Sequence, residues 1–504
     1  MKKVILFNPW AAQYGYRIPN SILQVAASID GLFDFVLVDG NREKDPWATI
    51  KSYLDTGEFG YFGCTVMPGP QLKQAIPYTK KIREEYPEVK TVWGGYFASN
   101  QYKSVIDSGY VDFIVNGQGD YAFPQLLQKL SKGEHDFDKI NNLVFKKGEE
   151  IVTTYKEFIK EQDALPPLPY QRLHEFYPLS GYLKKTFLGK KTAAYHASFG
   201  CPFTCSFCAV VPIYNAKWRG KSANTVFNDV KYLIEKHGAD AVEFHDNNFF
   251  VNEKMVVEFA KLIKPYNIQW WGEGRIDTIN KYKDESLQIM REAGCKMIFF
   301  GAETSDDEIL AQMDKGGTQT AQQIKDFAAR MRRFNIIPEY SFVLGMPADN
   351  EAKVIGQINK DIDFIKEIKR INPDTEIIIY TYSPVPTEGS ELYESVKAAG
   401  FSFPEKLEDW LDPQWENFDL RRNPLTPWLK PYMIDRIQGF ETVLNAQYPT
   451  ASDFKLTQLQ KKVIKLVSSI RYRYNIFRFP YELKVLQKFW LKYRRPETEG
   501  FSME

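Results

Sequence analysis

The chain has 504 residues, 44% hydrophobic and 26% charged, which places it among globular proteins and outside the disordered and collagen-like classes. Its 65 basic and 64 acidic side chains leave a net charge of +1, so nothing global argues for nucleic acid or an acidic substrate. No stretch approaches the ~20 apolar residues of a membrane span, the apolar run at 4–7 is too short for a signal peptide, and five cysteines, three of them within eight residues, are no disulfide framework; a reducing, cytoplasmic location is expected.

In chain order, residues 1–135 alternate β-rich runs at 4–7, 35–38, 61–65, 91–93 and 113–115 with amphipathic stretches such as 22–29. This is the pattern of an α/β, doubly wound parallel sheet of Rossmann-like type. Such sheets bind ligands beyond the carboxyl ends of their strands. Here those ends carry Asn8-Pro9, Asp39-Gly40, residues 65–69, Gly94-Gly95 and Gly117-Gln118-Gly119. No G-x-G-x-x-G follows the first run, which disfavours a nucleotide. Residues 136–190, with the Pro-rich stretch Leu165-Pro166-Pro167-Leu168-Pro169, read as a linker.

A second β/α series fills residues 191–394, with β-rich runs at 192–197, 241–245, 268–271, 297–300, 339–343 and 376–380. Six strands at this spacing fit a partial (β/α)6 barrel better than a second open sheet. Residues 395–504 read as a helical C-terminal domain. From Lys455 to Arg495 this segment holds seven Lys and five Arg against one acid, Glu482, so it carries a net charge of +11. Aromatics interleave with the cations. The segment is read as a helical cap with a solvated basic face, as a peripheral membrane helix, or, least favoured, as a nucleic-acid surface.

Gly200-Cys201-Pro202-Phe203-Thr204-Cys205-Ser206-Phe207-Cys208 places three thiols at C-x3-C-x2-C spacing directly after the first strand of the second series. Three thiolates on one loop can hold three corners of an iron–sulfur cube and leave the fourth iron open to a chelating ligand. The alternative is a Cys3His zinc site completed by His196. Cys64 and Cys295 sit on apolar strands and are expected in the core. His245, at the end of the second strand, reads as a packed, hydrogen-bonded histidine.

With Phe207 as the aromatic, the cysteine loop resembles the C-x3-C-x-aromatic-C signature of the radical S-adenosylmethionine (SAM) enzymes. Later landmarks resemble the subfamily with an N-terminal cobalamin domain: Asp246-Asn247-Asn248-Phe249, Gly272-Glu273-Gly274-Arg275, Gly301-Ala302-Glu303-Thr304, Gly345-Met346-Pro347 and Tyr382-Ser383-Pro384. The resemblance implies a [4Fe-4S] cluster on Cys201, Cys205 and Cys208, with SAM on the open iron. It implies adenine against the backbone at Phe207, Glu303 and Arg275 at the methionine ammonium and carboxylate, and Asp246 and Tyr382 as further SAM contacts. From the charges alone, Arg275 and Glu303 could instead pair with each other across the barrel mouth.

The first domain resembles a cobalamin domain at Thr65-Val66-Met67-Pro68-Gly69, at Trp93-Gly94-Gly95-Tyr96 and at Gly117-Gln118-Gly119-Asp120, where the family often has Gly-Glu-Gly-Glu. Expected cobalamin contacts are Thr65, Val66, Met67, Gly69, Gly94, Gly95, Gly117 and Gly119. The only histidine before residue 150 is His135, and no D-x-H-x-x-G is present, so a histidine lower ligand is not expected. The alternative is a Rossmann-like domain without cobalamin. The implied activity is methyl transfer from methylcobalamin to a substrate carbon activated by a 5′-deoxyadenosyl radical. Ring closure or rearrangement without methyl transfer is the alternative, and a non-catalytic cobalamin or redox sensor the second. The implied partners are an electron donor such as flavodoxin or ferredoxin and a small-molecule substrate. The 15% aromatic content, with 10 Trp, suits an apolar or planar one and equally suits ordinary core.

Overall fold

Four consecutive apolar residues, Val4, Ile5, Leu6 and Phe7, are fully buried in β1 (Lys3–Asn8), because packing covers both faces of that strand. The computed structural model describes all residues except 1, 12–15, 314–318, 383–390, 399, 417–424, 427, 450, 452–455 and 491–504. In the first sheet, β2 (Phe35–Asp39), β3 (Phe59–Thr65), β4 (Lys90–Gly94) and β5 (Phe113–Val115) join β1 in the parallel order β2-β1-β3-β4-β5. The order reverses between β1 and β3, and sheets of this type bind ligands beyond the carboxyl ends of their strands.

The sheet does not stop there. β6 (Leu143–Lys147) and β7 (Glu150–Thr153) continue it antiparallel from β5, so part of the stretch expected as linker is a hairpin of the first sheet. Leu143, Val144 and Phe145 are buried against the sheet core, which gives the hairpin its hold.

The second sheet begins with β8 (Thr192–Tyr195), followed by an antiparallel ribbon of β9 (Ser198–Gly200) and β10 (Trp218–Gly220) that carries the cysteine loop between its strands. Then come β11 (Ala241–Phe244), β12 (Gln269–Gly274), β13 (Cys295–Glu303), β14 (Ile337–Leu344) and β15 (Glu376–Thr381). β8 and β11 to β15 lie side by side, all parallel, in sequence order. This is the six-stranded β/α series read from the sequence. Leu188, Ala241, Trp271 and Met297 form a small apolar cluster with Phe187 and Ile337 toward the amino ends of these strands, leaving the carboxyl ends to the polar site.

The C-terminal region divides between the two sheets rather than forming one unit. Residues 401–416 return to the first sheet, where Trp410 meets Phe97 edge-on with ring centroids 5.1 Å apart. Helix Pro431–Gln447 instead packs on β15 and on helix Glu351–Ile371, and helices Gln458–Arg473 and Tyr481–Trp490 pack on it in turn.

Candidate active site

The cysteine loop leaves β9 through Gly200, whose φ is +75° and where a Cβ would stand 2.2 Å from the Lys217 carbonyl oxygen. Only glycine fits that turn. Within the loop, the Cys208 amide donates to the Cys205 carbonyl at 3.0 Å and the Ser206 amide to the Met313 carbonyl at 3.1 Å. Phe207 occupies the turn between these two cysteines. Asn248 Nδ2 lies 3.9 Å from Cys201 Sγ, and the Asn248 carbonyl accepts from the Trp218 indole at 2.9 Å, so β10 positions the asparagine. Burial pushes the Cys201 thiol up while the Asn248 contact and the cation of Arg275 oppose it.

Arg275 is fixed from three directions. Its Nε and Nη2 donate to Asp277 at 2.9 and 2.7 Å, its Nη1 lies 3.0 Å from Cys205 Sγ, and its guanidinium stacks 3.8 Å from the centre of the Phe203 ring. The partner not anticipated from sequence is Asp277, two residues on. Glu303 is buried at the end of β13 with φ +66°, beyond an irregularity in the pairing with β14. A non-glycine residue there is strained, and such strain concentrates at functional positions. Gln319 supports the irregularity by donating to the Gly301 carbonyl at 3.0 Å.

Asp246, at the end of β11, is fully buried and accepts from the Ala197 amide at 3.1 Å and from the Ser198 hydroxyl. Burial pushes its carboxyl up to about 6 against those hydrogen bonds. Tyr382 is buried against Trp428, ring centroids 5.5 Å apart, and its hydroxyl has no hydrogen-bond partner among the described residues. The other two residues of the Tyr382-Ser383-Pro384 landmark lie outside the described residues. His196, weighed as a zinc ligand, has its Nδ1 3.3 Å from Asn20 Nδ2 and its ring 6.3 Å from that of His245. His245 in turn lies 3.2 Å from Glu243, which is paired with Arg17 at 2.9 Å.

The first sheet reaches this site directly. Asn247, beside Asp246, donates to the Tyr96 hydroxyl at 2.6 Å, and Asn100 donates to the Ala209 carbonyl, just past Cys208, at 3.2 Å. The expected cobalamin residues lie at the carboxyl ends of three adjacent strands: Thr65 to Gly69 after β3, Gly94 and Gly95 after β4, Gly117 and Gly119 after β5. Val66 is buried, whereas Met67 is 45% exposed and its amide donates to Gln71 Oε1 at 2.7 Å. Gly95 has φ +92° and a Cβ there would stand 2.7 Å from the Val66 carbonyl oxygen; at Gly94 the nearest atoms are 3.9 Å away. Gly117, with φ +116°, has open space around it. A small cleft lies beside Gly117 and Gln118 and is bounded by Lys156, Ile213, Tyr214 and Lys217, between this loop and the helix that follows the cysteines.

The cysteine loop fits the cluster that the resemblance implies. Three thiols on one loop are the donor set of a cluster with one open iron. Among the described residues no group of three or more His, Cys, Asp and Glu side chains is placed to hold a single metal ion. The family model of the radical SAM superfamily matches residues 195–359. An uncharacterized methyltransferase, PH0819, of Pyrococcus horikoshii is 25% identical over 380 residues, 75% of this chain and 78% of that protein. The anaerobic magnesium-protoporphyrin IX monomethyl ester cyclase of Synechocystis is 26% identical over 306 residues, 59% of this chain and 57% of the relative, so the match spans little more than half of that protein. Among solved structures, the cobalamin-dependent SAM radical enzyme OxsB with aqua-cobalamin and SAM bound aligns with a TM-score of 0.69 at 14% identity, over 99% of this chain and 76% of that one. Residues 195–359 thus match the radical SAM superfamily, and the two sheets together have the fold of the cobalamin-dependent radical SAM enzymes.

Proposed function

We propose that the protein is a cobalamin-dependent radical SAM methyltransferase acting on a carbon atom of a small-molecule substrate. The observation that carries this reading is the pair of hydrogen bonds from Asn247 to Tyr96 and from Asn100 to Ala209. They hold the carboxyl ends of the first sheet against the cysteine loop, so groups bound at the two would meet at one interface.

Cys201, Cys205 and Cys208 hold the [4Fe-4S] cluster. Arg275, locked by Asp277, keeps a cation beside Cys205 and serves the carboxylate of SAM, a charge-assisted contact. Glu303 serves the ammonium group, the Phe207 backbone the adenine, and Asp246 and the unpartnered hydroxyl of Tyr382 the remaining polar atoms. Thr65, Val66, Met67, Gly69, Gly94, Gly95, Gly117 and Gly119 would cradle cobalamin. When bound, these groups supply hydrogen-atom abstraction by a 5′-deoxyadenosyl radical and a methyl group on a weak cobalt–carbon bond. A flavodoxin or ferredoxin supplies the electron, and an apolar or planar substrate suits the aromatic-rich chain.

The test is incubation of anaerobically reconstituted protein with reductant, SAM deuterated in its methyl group, and small molecules from cell extract. Methyl transfer uses one SAM as radical source and one as methyl donor, so 5′-deoxyadenosine and S-adenosylhomocysteine accumulate together and a product carries the intact trideuteromethyl group. Product formed with deoxyadenosine but without S-adenosylhomocysteine or label moves the assignment to ring closure or rearrangement. Reduced protein that cleaves no SAM at all is a sensor. A variant with Cys201, Cys205 and Cys208 all changed to Ala loses its iron; if it keeps a full cluster, the ligand assignment falls.

A further inference from the structure

Among the described residues, sixteen large apolar side chains are exposed, and eleven of them lie between 459 and 489. They are not scattered. Helix Gln458–Arg473 starts at a Thr457–Gln460 capping box and turns Ile464 and Ser468 inward, with the Ser468 hydroxyl 3.1 Å from Gln447 on the neighbouring helix. Its opposite side shows Val463, Leu466, Val467 and Ile470, spaced i, i+3, i+4 and i+7, with Leu466 76% and Ile470 66% exposed. That spacing is one continuous apolar stripe. Helix Tyr481–Trp490 repeats the plan, with Leu483 fully buried and Tyr481, Val485 and Phe489 exposed at i, i+4 and i+8.

The charges around these stripes have one sign. Glu482, the one acid between Lys455 and Arg495, is taken by Arg471 at 3.1 Å, and Arg471 also donates to the carbonyls of Ile476 and Arg478 at 3.2 and 3.0 Å. The hairpin is thereby tied into a fixed shape. Lys462, Lys465, Arg473, Arg478 and Lys484 remain exposed around it. Leaving such stripes in water costs about 25 cal/mol per Å² of apolar surface, and contiguous exposed apolar surface marks an interaction site. Nucleic acid would satisfy the cations but leave Leu466 and Ile470 in water. An anionic lipid surface satisfies both, with cations at the headgroups and aliphatic side chains below. No helix among the described residues is long and apolar enough to cross a membrane, so the contact is in the interfacial plane.

We propose that the helical hairpin 457–490 docks the protein on an anionic membrane, its inner face capping the barrel-side helix and its outer stripe entering the interface. This assignment does not depend on the reaction proposed above. The test is flotation of the full-length, reconstituted protein with phosphatidylcholine vesicles made with or without phosphatidylglycerol. The protein is expected to float with the anionic vesicles, to be released by ~0.5 M salt, and to bind at least ten-fold more weakly as Leu466→Glu/Ile470→Glu. Because both side chains are exposed, this variant melts at the wild-type temperature. Lys462→Glu/Lys465→Glu is expected to lose the preference for the anionic vesicles. Failure of the wild type to float, or flotation indifferent to the Leu466/Ile470 change, overturns the proposal. A wild-type dimer made monomeric by that change assigns the stripe to self-association instead, and retention of duplex DNA or RNA without vesicle binding assigns the cations to nucleic acid. Iron content and SAM cleavage are unchanged in every variant, so failure here leaves the reaction assignment standing.

Discussion

The Asn247 side-chain amide donates a 2.6 Å hydrogen bond to the Tyr96 hydroxyl, joining the loop after β11 to the short helix that begins at Gly95. Two sheets of different topology are tied at the carboxyl ends of their strands. Tyr96→Phe and Asn247→Ala are each expected to cost about 1 kcal/mol, and the double-mutant cycle to return a coupling of about 1 kcal/mol. Guanidinium unfolding of the cofactor-free protein measures it, and additive losses would mean that the bond does not form in solution.

Arg275 and Asp277 are 7% and 7% exposed, so each depends on the other to be buried as a charge. Arg275→Met alone leaves Asp277 uncompensated and is expected to destabilise the protein by about 3 to 5 kcal/mol. Arg275→Met/Asp277→Leu removes both charges and recovers most of that loss. Both variants are read in cofactor-free protein by denaturant midpoint; equal destabilisation of single and double variants would place the cost in packing on Phe203 instead.

Gly94 and Gly95 separate folding from cofactor binding. A side chain at Gly95 meets the Val66 backbone at 2.7 Å in a left-handed conformation, so Gly95→Ala is expected to lower the melting temperature. Gly94 has extended backbone, and no atom comes closer than 3.9 Å to the point where its Cβ would stand, so Gly94→Val folds normally and keeps its iron. If Gly94 borders cobalamin, that variant loses the base-off optical spectrum on titration with the cofactor. Unchanged binding would move the cradle toward Thr65 and Gly117.

The six parallel strands of the barrel were legible because each is a short apolar run ending in polar residues. The cysteine loop was legible because its spacing is chemistry. The hairpin of β6 and β7 was not. Lys146, Lys147 and Glu150 interrupt the apolar pattern at a two-sided edge, and only pairing with Phe113 and Ile114 shows that Leu143 to Phe145 is a strand. Trp410 against Phe97 is a contact across most of the chain and leaves no local pattern at all. Asp277 illustrates a third limit: the charge beside Arg275 was visible, but its burial was not. In the tail the cations were legible from composition, whereas the choice of Ile464 rather than Leu466 as the buried side chain is made by tertiary packing.

Two buried carboxyls tie stability to pH. Asp246 and Asp120 are 0% and 4% exposed, and burial raises each carboxyl from an ordinary value near 3.8 to about 6. A carboxyl raised in the folded state holds its proton there while the unfolded chain has released it. Their contribution to stability is therefore full below the unfolded value and is lost as pH rises from about 4 through about 6. Each group can supply a slope of at most about 1.4 kcal/mol per pH unit in that window and none above it. The Asp246 carboxylate only accepts, from Ala197 and Ser198, and an asparagine oxygen can take the same bonds without titrating. Asp246→Asn is thus expected to flatten the fall in stability of cofactor-free protein between pH 4 and 6 by roughly one group's share, leaving the part due to Asp120, which is held by Gln24 at 2.6 Å. Denaturant midpoints of the two proteins across that range decide it: parallel curves would mean that Asp246 is ionised throughout, and would require a cation or solvent near it.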